Sequence, residues 1–242
     1  MVFNNKYTVG IEQAGLENKI TNRAILEIME DIASLHSATV GFGLKDIEIS
    51  RQAWILLDWQ IKVIRRPEYN EEISVNTWSR SIEKICAYRD FEFKDADGEL
   101  LIIGTSRWLL MDIDKRRPVK VTEELAKIYK SEPNRKVFYE DIREIEYNSE
   151  ISAGSPDCEY KVMRRDIDVN NHMHNLNYLD VAMEALPEDV YNQGRFNFVR
   201  IQYKKELKYG DAVECYYKKE NDRHIVVIMS ESKVHALVGL EE

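Results

Sequence analysis

The chain repeats itself imperfectly, and that repeat limits what it can fold into. Tyr7 set against Tyr160 is a shift of 153, which also places Val9 on Val162, Leu16 on Val169, Asn22 on Asn175 and Leu26 on Leu179. Further on, a shift of 140 places Ile61 on Ile201, Arg65 on Lys205, Tyr69 on Tyr209, Glu71 on Asp211 and Ile73 on Val213. The fall from 153 to 140 leaves 13 more residues in the first copy, between its helix and its long strand. Two segments that repeat in the same order indicate an internal duplication. The 242 residues then divide into a first copy with its linker, 1–135, and a second copy, 136–242. Each is of ordinary domain size.

Each copy reads as a strand, a helix and a meander. Thr21 or Asn22 can cap the first helix. Ile25, Ile28, Met29, Ile32 and Leu35 share one face of it, as far as about Ala38. Alternation then predicts strands at 54–64, 72–80, 84–94 and 100–113, with Asp95-Ala96-Asp97-Gly98 as a hairpin signal. Lys115-Arg116-Arg117-Pro118 ends the run, a short helix and a linker with Pro133 occupy 122–135, and another strand is expected near 137–149. The second copy gives a strand at 158–165, a loop at 166–174 and a helix at 175–185 stopped by Pro187. Strands at 195–207, 211–220 and 223–232 follow. A long helix wrapped by a four- or five-stranded antiparallel sheet is a hot-dog. Two in tandem make an α+β double hot-dog; the alternative is two unrelated α+β domains.

Composition narrows the function. Lys and Arg number 34 against 43 Asp and Glu, a net charge of −9, which argues against a general nucleic-acid binder and weakly against docking to anionic membranes. Cys86, Cys158 and Cys215 are too scattered for a disulfide framework or a CxxC metal site. With no signal peptide at the N-terminus and no apolar run of transmembrane length, the expected location is the cytoplasm.

Residues 164–178 pack two Asp, four Asn and two His directly ahead of an apolar helix. That helix start offers unpaired N–H groups and the positive end of its dipole, which together can hold a developing oxyanion. Taken alone, the Asp and Asn cluster is equally readable as turn and capping chemistry. His172 and His174 lack the helical spacing and acidic partners of a metal pair, so neither metal nor cofactor is expected. His36 reads as structural, His224 and His235 as surface or packing residues, and Trp54, Trp59, Trp78 and Trp108 as core.

At these residues the sequence resembles the acyl-acyl carrier protein (acyl-ACP) thioesterases of plants and bacteria. Asp168, Asn170 and His172 at alternate positions, followed by Asn175 and Tyr178, match the family motif. Glu206 in Tyr203-Lys204-Lys205-Glu206 matches its catalytic Glu. Trp54 to Trp78, Trp108-Leu109-Leu110-Met111 and Arg116-Arg117-Pro118 extend the likeness over nearly the whole chain. Leu207 stands where plant members often have Cys, and His174 where Asn is common. The resemblance implies hydrolysis of a fatty acyl-ACP thioester, with Glu206 as general base or direct nucleophile and His172 sharing a proton with water. Asn170 would position water or polarise the carbonyl, and Asp168 would hold the loop.

The counterparts of Asp168, His172 and Glu206 in the first copy are Gly15, Lys19 and Arg66, which cannot do this acid–base work. One active site per chain is therefore expected, with the first copy supplying walls for an apolar acyl tunnel. An acidic carrier protein would need a local basic surface, for which Lys62, Arg65, Lys115, Arg116, Arg117, Lys120, Arg164, Arg165, Lys204 and Lys205 are candidates. Acyl-CoA hydrolysis, a hot-dog dehydratase and a noncatalytic acyl-binding protein are the alternatives. Either a monomer or a homodimer fits a chain that already contains both copies.

Overall fold

A computed structural model describes residues 1–83 and 85–242; Lys84, at the start of the strand expected from 84, lies outside them. The chain forms two compact units, Met1–Ile142 and Arg143–Glu242. The division falls after the 135/136 boundary read from sequence, because residues 136–142 attach to the first unit. The Val137 amide donates to Asp90 Oδ2 at 3.2 Å, and Asp141 pairs with Arg80 at 3.2 Å.

The first unit runs β1 (Phe3–Thr8), α1 (Asn22–Thr39), the single turn α2 (Ile47–Ser50), β2 (Gln52–Val63), β3 (Glu72–Glu83), β4 (Cys86–Lys94), β5 (Leu100–Asp112), β6 (Arg117–Pro118) and α3 (Glu123–Tyr129). Its strands lie in the order β1-β3-β4-β5-β2, all antiparallel, and β6 folds back onto the end of β5. The second unit runs β7 (Cys158–Lys161), α4 (Asn177–Glu184), α5 (Glu188–Gln193), β8 (Phe198–Tyr203), β9 (Ala212–Glu220), β10 (Arg223–Ser230) and β11 (Lys233–Glu241). Its order, β7-β9-β10-β11-β8, is that of the first unit strand for strand. Each unit is a hot-dog, and the chain is an α+β double hot-dog.

Three expectations change. The segment 137–149 forms no strand: its polar backbone is met by a side chain instead of a ladder, with Gln202 Oε1 accepting from the Ile145 amide and Gln202 Nε2 donating to Arg143 O. The strand expected at 223–232 turns at Glu231 and Ser232, and β11 follows as a strand not foreseen. Leu35, expected on the buried face of α1, is 40% exposed, and His36 takes the interior place.

Helix α1 opens on Thr21, whose Oγ1 accepts from the Ala24 amide at 3.1 Å. Ile25, Leu26, Ile28, Met29, Ile32 and Ala33 are buried along it. The Met29 side chain reaches the sheet at Gly104, where an added Cβ would sit 2.3 Å from its Cε. Where α1 ends, Arg89 Nη1 donates to His36 Nδ1 at 2.8 Å and to Thr77 Oγ1 at 3.3 Å. Burial, and then the Arg89 charge, push the His36 imidazole down to about 3; burial pushes Arg89 down to about 10.

The duplication holds at the level of single hydrogen bonds. The Gly15 amide donates to Lys19 O at 2.8 Å, and the Asp168 amide to His172 O at 2.8 Å. Ile20 N–H reaches Pro67 O at 2.9 Å, and Met173 N–H reaches Leu207 O at 2.7 Å. Isolated antiparallel bridges join Ala14 to Ile20 and Ile167 to Met173. Every one of these pairs obeys the shifts of 153 and 140 read from the sequence.

Candidate active site

The polar loop is built by its two aspartates. Asp166 is buried, and its Oδ2 accepts from the Tyr160 hydroxyl at 2.7 Å and from the Met163 amide at 2.6 Å, which fixes the entry to the loop. Asp168 organises the turn itself. Its Oδ1 accepts from the amides of Asn170 at 2.8 Å and His172 at 3.1 Å, and its Oδ2 from Asn170 Nδ2 at 3.4 Å. Asn171 takes a left-handed φ of 63°, which Asn tolerates better than most residues. The loop leaves through the His174 amide, which donates to Asp166 O at 2.7 Å, and through Asn177 Nδ2, which donates to the same carbonyl at 3.1 Å.

Glu206 follows the end of β8, 34 residues from His172 in sequence. His172 Nε2 lies 3.3 Å from Glu206 Oε2, with the two side chains 30% and 56% exposed. The main chain sets this pairing. Met173 and Leu207, each one residue beyond a member of the pair, share the 2.7 Å bond described above. The Leu207 amide donates to the Tyr178 hydroxyl at 3.1 Å, and the Tyr203 hydroxyl donates to Asn175 O at 2.9 Å. Tyr178 and Tyr203 meet edge to face at 5.4 Å. The Asp168 carboxylate thus ties Asn170 and His172 into one turn, and His172 in turn meets Glu206. Sequence reading did not foresee Asp166 as the loop's buried anchor or Tyr178 as a brace for the Glu206 segment.

In the first unit the same backbone carries different chemistry. Arg66, the counterpart of Glu206, turns its guanidinium to the helix start, donating to Ile20 O at 3.0 Å and to Asn22 Oδ1 at 2.9 Å. Lys19, the counterpart of His172, has its ammonium 3.5 Å from Glu17.

Among the basic residues weighed as a docking surface, Arg65 is tied to Glu71 and Asp95, and Lys115 to Asp112. Arg164, Arg165, Lys204 and Lys205 are exposed on the segments that lead into the loop and to Glu206. Arg164 lies over the Tyr209 ring at 4.6 Å, and Lys204 pairs with Glu144 at 3.2 Å. Two surface depressions, of about 510 and 310 Å³, are lined by Glu146 with Glu220–Arg223 and by Met183 with Tyr191; neither touches His172 or Glu206. Among the described residues no helix is long and apolar enough to cross a membrane, and no group of three His, Cys, Asp or Glu is placed to hold a metal ion.

Sequence models of the acyl-ACP thioesterase N-terminal and C-terminal domains match residues 1–129 and 149–236. The chain belongs to the acyl-ACP thioesterase family. Its relatives in that family include oleoyl-acyl carrier protein thioesterase 2 of Arabidopsis thaliana, 24% identical over 93% of this chain and 65% of that protein. The oleoyl-acyl carrier protein thioesterase of Coriandrum sativum is 23% identical over 93% and 64%. The chain therefore spans slightly under two thirds of the length of these relatives. Two solved acyl-ACP thioesterase structures share the fold. The Bacteroides thetaiotaomicron enzyme gives a TM-score of 0.87 at 17% identity, over 99% of this chain and 97% of that one. The 12:0-ACP thioesterase of Umbellularia californica gives 0.86 at 19%, over 99% and 96%. Leu207 is fully buried, and its backbone provides the bonds to Met173 and Tyr178.

Proposed function

We propose that this chain hydrolyses the thioester of a fatty acyl-ACP, releasing free fatty acid and carrier protein and so ending chain elongation. The observation that carries this is the His172–Glu206 pair at 3.3 Å, in the one copy that holds acid–base residues on a backbone common to both. Glu206 acts as general base, taking a proton from water as the water oxygen attacks the acyl carbon. His172 holds the carboxylate and the water in line. Asn170 positions the water or the carbonyl, and Asp168 keeps Asn170 and His172 in place. The oxyanion is met by the Asn175 amide, just ahead of α4. Of the amides of residues 173–178, it alone has no acceptor among the described residues. Collapse of the tetrahedral intermediate breaks the C–S bond, and the leaving thiolate takes the proton that Glu206 removed from water.

The acidic carrier protein docks on Arg164, Arg165, Lys204 and Lys205, which flank the pair on both of its segments. We place the reaction in the cytoplasm, where three scattered cysteines remain thiols.

The test is free-acid release from a panel of acyl-ACPs and acyl-CoAs, with Glu206→Gln as control. Faster release from acyl-ACP is expected, with the control slower by about 10²–10⁴-fold. Equal rates on both carriers remove the carrier assignment. No release from either supports an acyl-binding protein instead.

A further inference from the structure

Strand β11 contains a bulge. Ile228 pairs with Ala236 and Met229 with Val234, which leaves His235 as the extra residue, 3% exposed. Its carbonyl accepts from the amides of both Lys204, at 2.8 Å, and Lys205, at 3.2 Å. Its ring reaches the same place: Nδ1 lies 3.2 Å from Lys205 O, and Nε2 lies 2.6 Å from Ser230 Oγ. A carbonyl only accepts, so Nδ1 carries the proton and Nε2 accepts from the Ser230 hydroxyl. Burial holds this imidazole below the ordinary histidine range, in keeping with the neutral form. The Lys205 carbonyl belongs to the peptide that leads into Glu206.

The first unit supplies an internal comparison. Strand β5 bulges at the equivalent point: Phe93 pairs with Ile102 and Lys94 with Leu100, leaving Leu101 extra and 1% exposed. The Leu101 carbonyl accepts from Ile64 at 2.8 Å and Arg65 at 3.1 Å, the same pair of bonds in the same register. The bulge and its backbone bonds therefore form with an apolar side chain. A histidine is present only in the copy whose next residue along is Glu206 and not Arg66. Bulges beside active sites commonly re-aim a side chain.

We propose that His235 is a positioning residue for Glu206, an assignment that rests on the hydrolase reading above. Its Nδ1–H fixes the 205–206 peptide plane, and the Leu207 bonds to Tyr178 and Met173 fix the other side. An exposed carboxylate is then delivered to His172 by a rigid backbone. Without the ring bond the peptide can rock, and Glu206 spends less time in reach of His172. Substrate contacts are untouched.

The experiment measures kcat and KM separately on one acyl-ACP, with thermal unfolding of each variant. His235→Leu installs the residue that the first copy uses. It should leave KM within about 3-fold and lower kcat by about 10–100-fold, the scale of a misplacement near 1 Å. His235→Asn places an amide N–H where Nδ1 was and should restore kcat to within about 5-fold of wild type. His235→Gln places its amide nearer Ser230 and should not. Wild-type kcat in His235→Leu overturns the assignment. So does a folded His235→Asn that is as slow as His235→Gln, a comparison that holds even if the leucine variant does not fold. A wild-type chain that hydrolyses no acyl-ACP removes the hydrolase reading, and the positioning role with it. An active wild type with an equally active leucine variant removes the positioning role alone.

Discussion

Asp168→Ala tests whether the polar loop works by its shape. The Asp168 carboxylate accepts from two backbone amides, at 2.8 and 3.1 Å, and from the Asn170 side chain at 3.4 Å. Hydrogen bonds to a charged acceptor contribute about 1.5–3 kcal/mol each. The group is half exposed, so water recovers part of that, and we take about 2 kcal/mol as the net loss. Because 1.36 kcal/mol is a factor of ten, the ordered loop should become about 30-fold less populated, and kcat/KM should fall by a similar factor. The fold should survive. Gly15 occupies the equivalent place in the first unit, and its amide still donates to Lys19 O at 2.8 Å without any carboxylate. Asp168→Asn keeps a carbonyl oxygen at Oδ1 and should recover to within about 5-fold. The assay is steady-state acyl-ACP hydrolysis, with thermal unfolding to confirm intact protein. Full activity in Asp168→Ala would refute the reasoning. A collapse in Asp168→Asn equal to that in Asp168→Ala would also refute it, since the charge would then be acting on the reaction directly.

Tyr178→Phe leaves the buried Leu207 amide without its acceptor and should cost about 1–3 kcal/mol in urea unfolding, with a lower kcat. Gly104→Ala brings a Cβ to 2.3 Å from Met29 Cε, the tip of a flexible but buried side chain that must turn aside, and should destabilise by about 1 kcal/mol; a combined Gly104→Ala and Met29→Ala variant that loses less than the sum of the two single losses would identify the clash. Burial and the Arg89 charge push the His36 pKa down to about 3, against the ordinary histidine value of 6.5 that the unfolded chain approaches. The unfolded chain therefore takes up this proton first as pH falls. Stability should drain away from about pH 6.5 down to about 3, with no contribution from this group above that window. His36→Gln should flatten that slope; an unchanged slope would place the acid sensitivity elsewhere.

Much of this was legible in the sequence because the governing physics is local. The period of Ile25, Ile28, Met29 and Ile32 reports a helix face packed on a sheet, and Thr21 marks its start. The two alignment shifts proved to be hydrogen-bond registers. What escaped depended on partners distant in sequence or on unusual turn chemistry. Two-residue hairpin turns usually announce themselves by Asn-Gly or Asp-Gly, but Glu231 and Ser232 adopt φ of 47° and 64° with neither. The boundary of β11 was therefore invisible, and His235 with it. The segment 137–149 looks like a strand by composition. Its backbone instead meets the amide of Gln202, a pairing that no periodicity encodes. The link between His172 and Glu206 was legible only through family resemblance, because the bond that sets it joins Met173 to Leu207.

That bond also bears on how such chains can change in length. It closes a segment of 34 residues in the second unit, Met173 to Leu207, and one of 47 in the first, Ile20 to Pro67. The same main-chain contact thus accommodates a difference of 13 residues. The distance between the His172 and Glu206 side chains is referenced to a point one residue beyond each of them, not to the chain between. Insertions and deletions there can accumulate, or be engineered, without retuning the chemistry, whereas the two short segments next to the bond must keep their length.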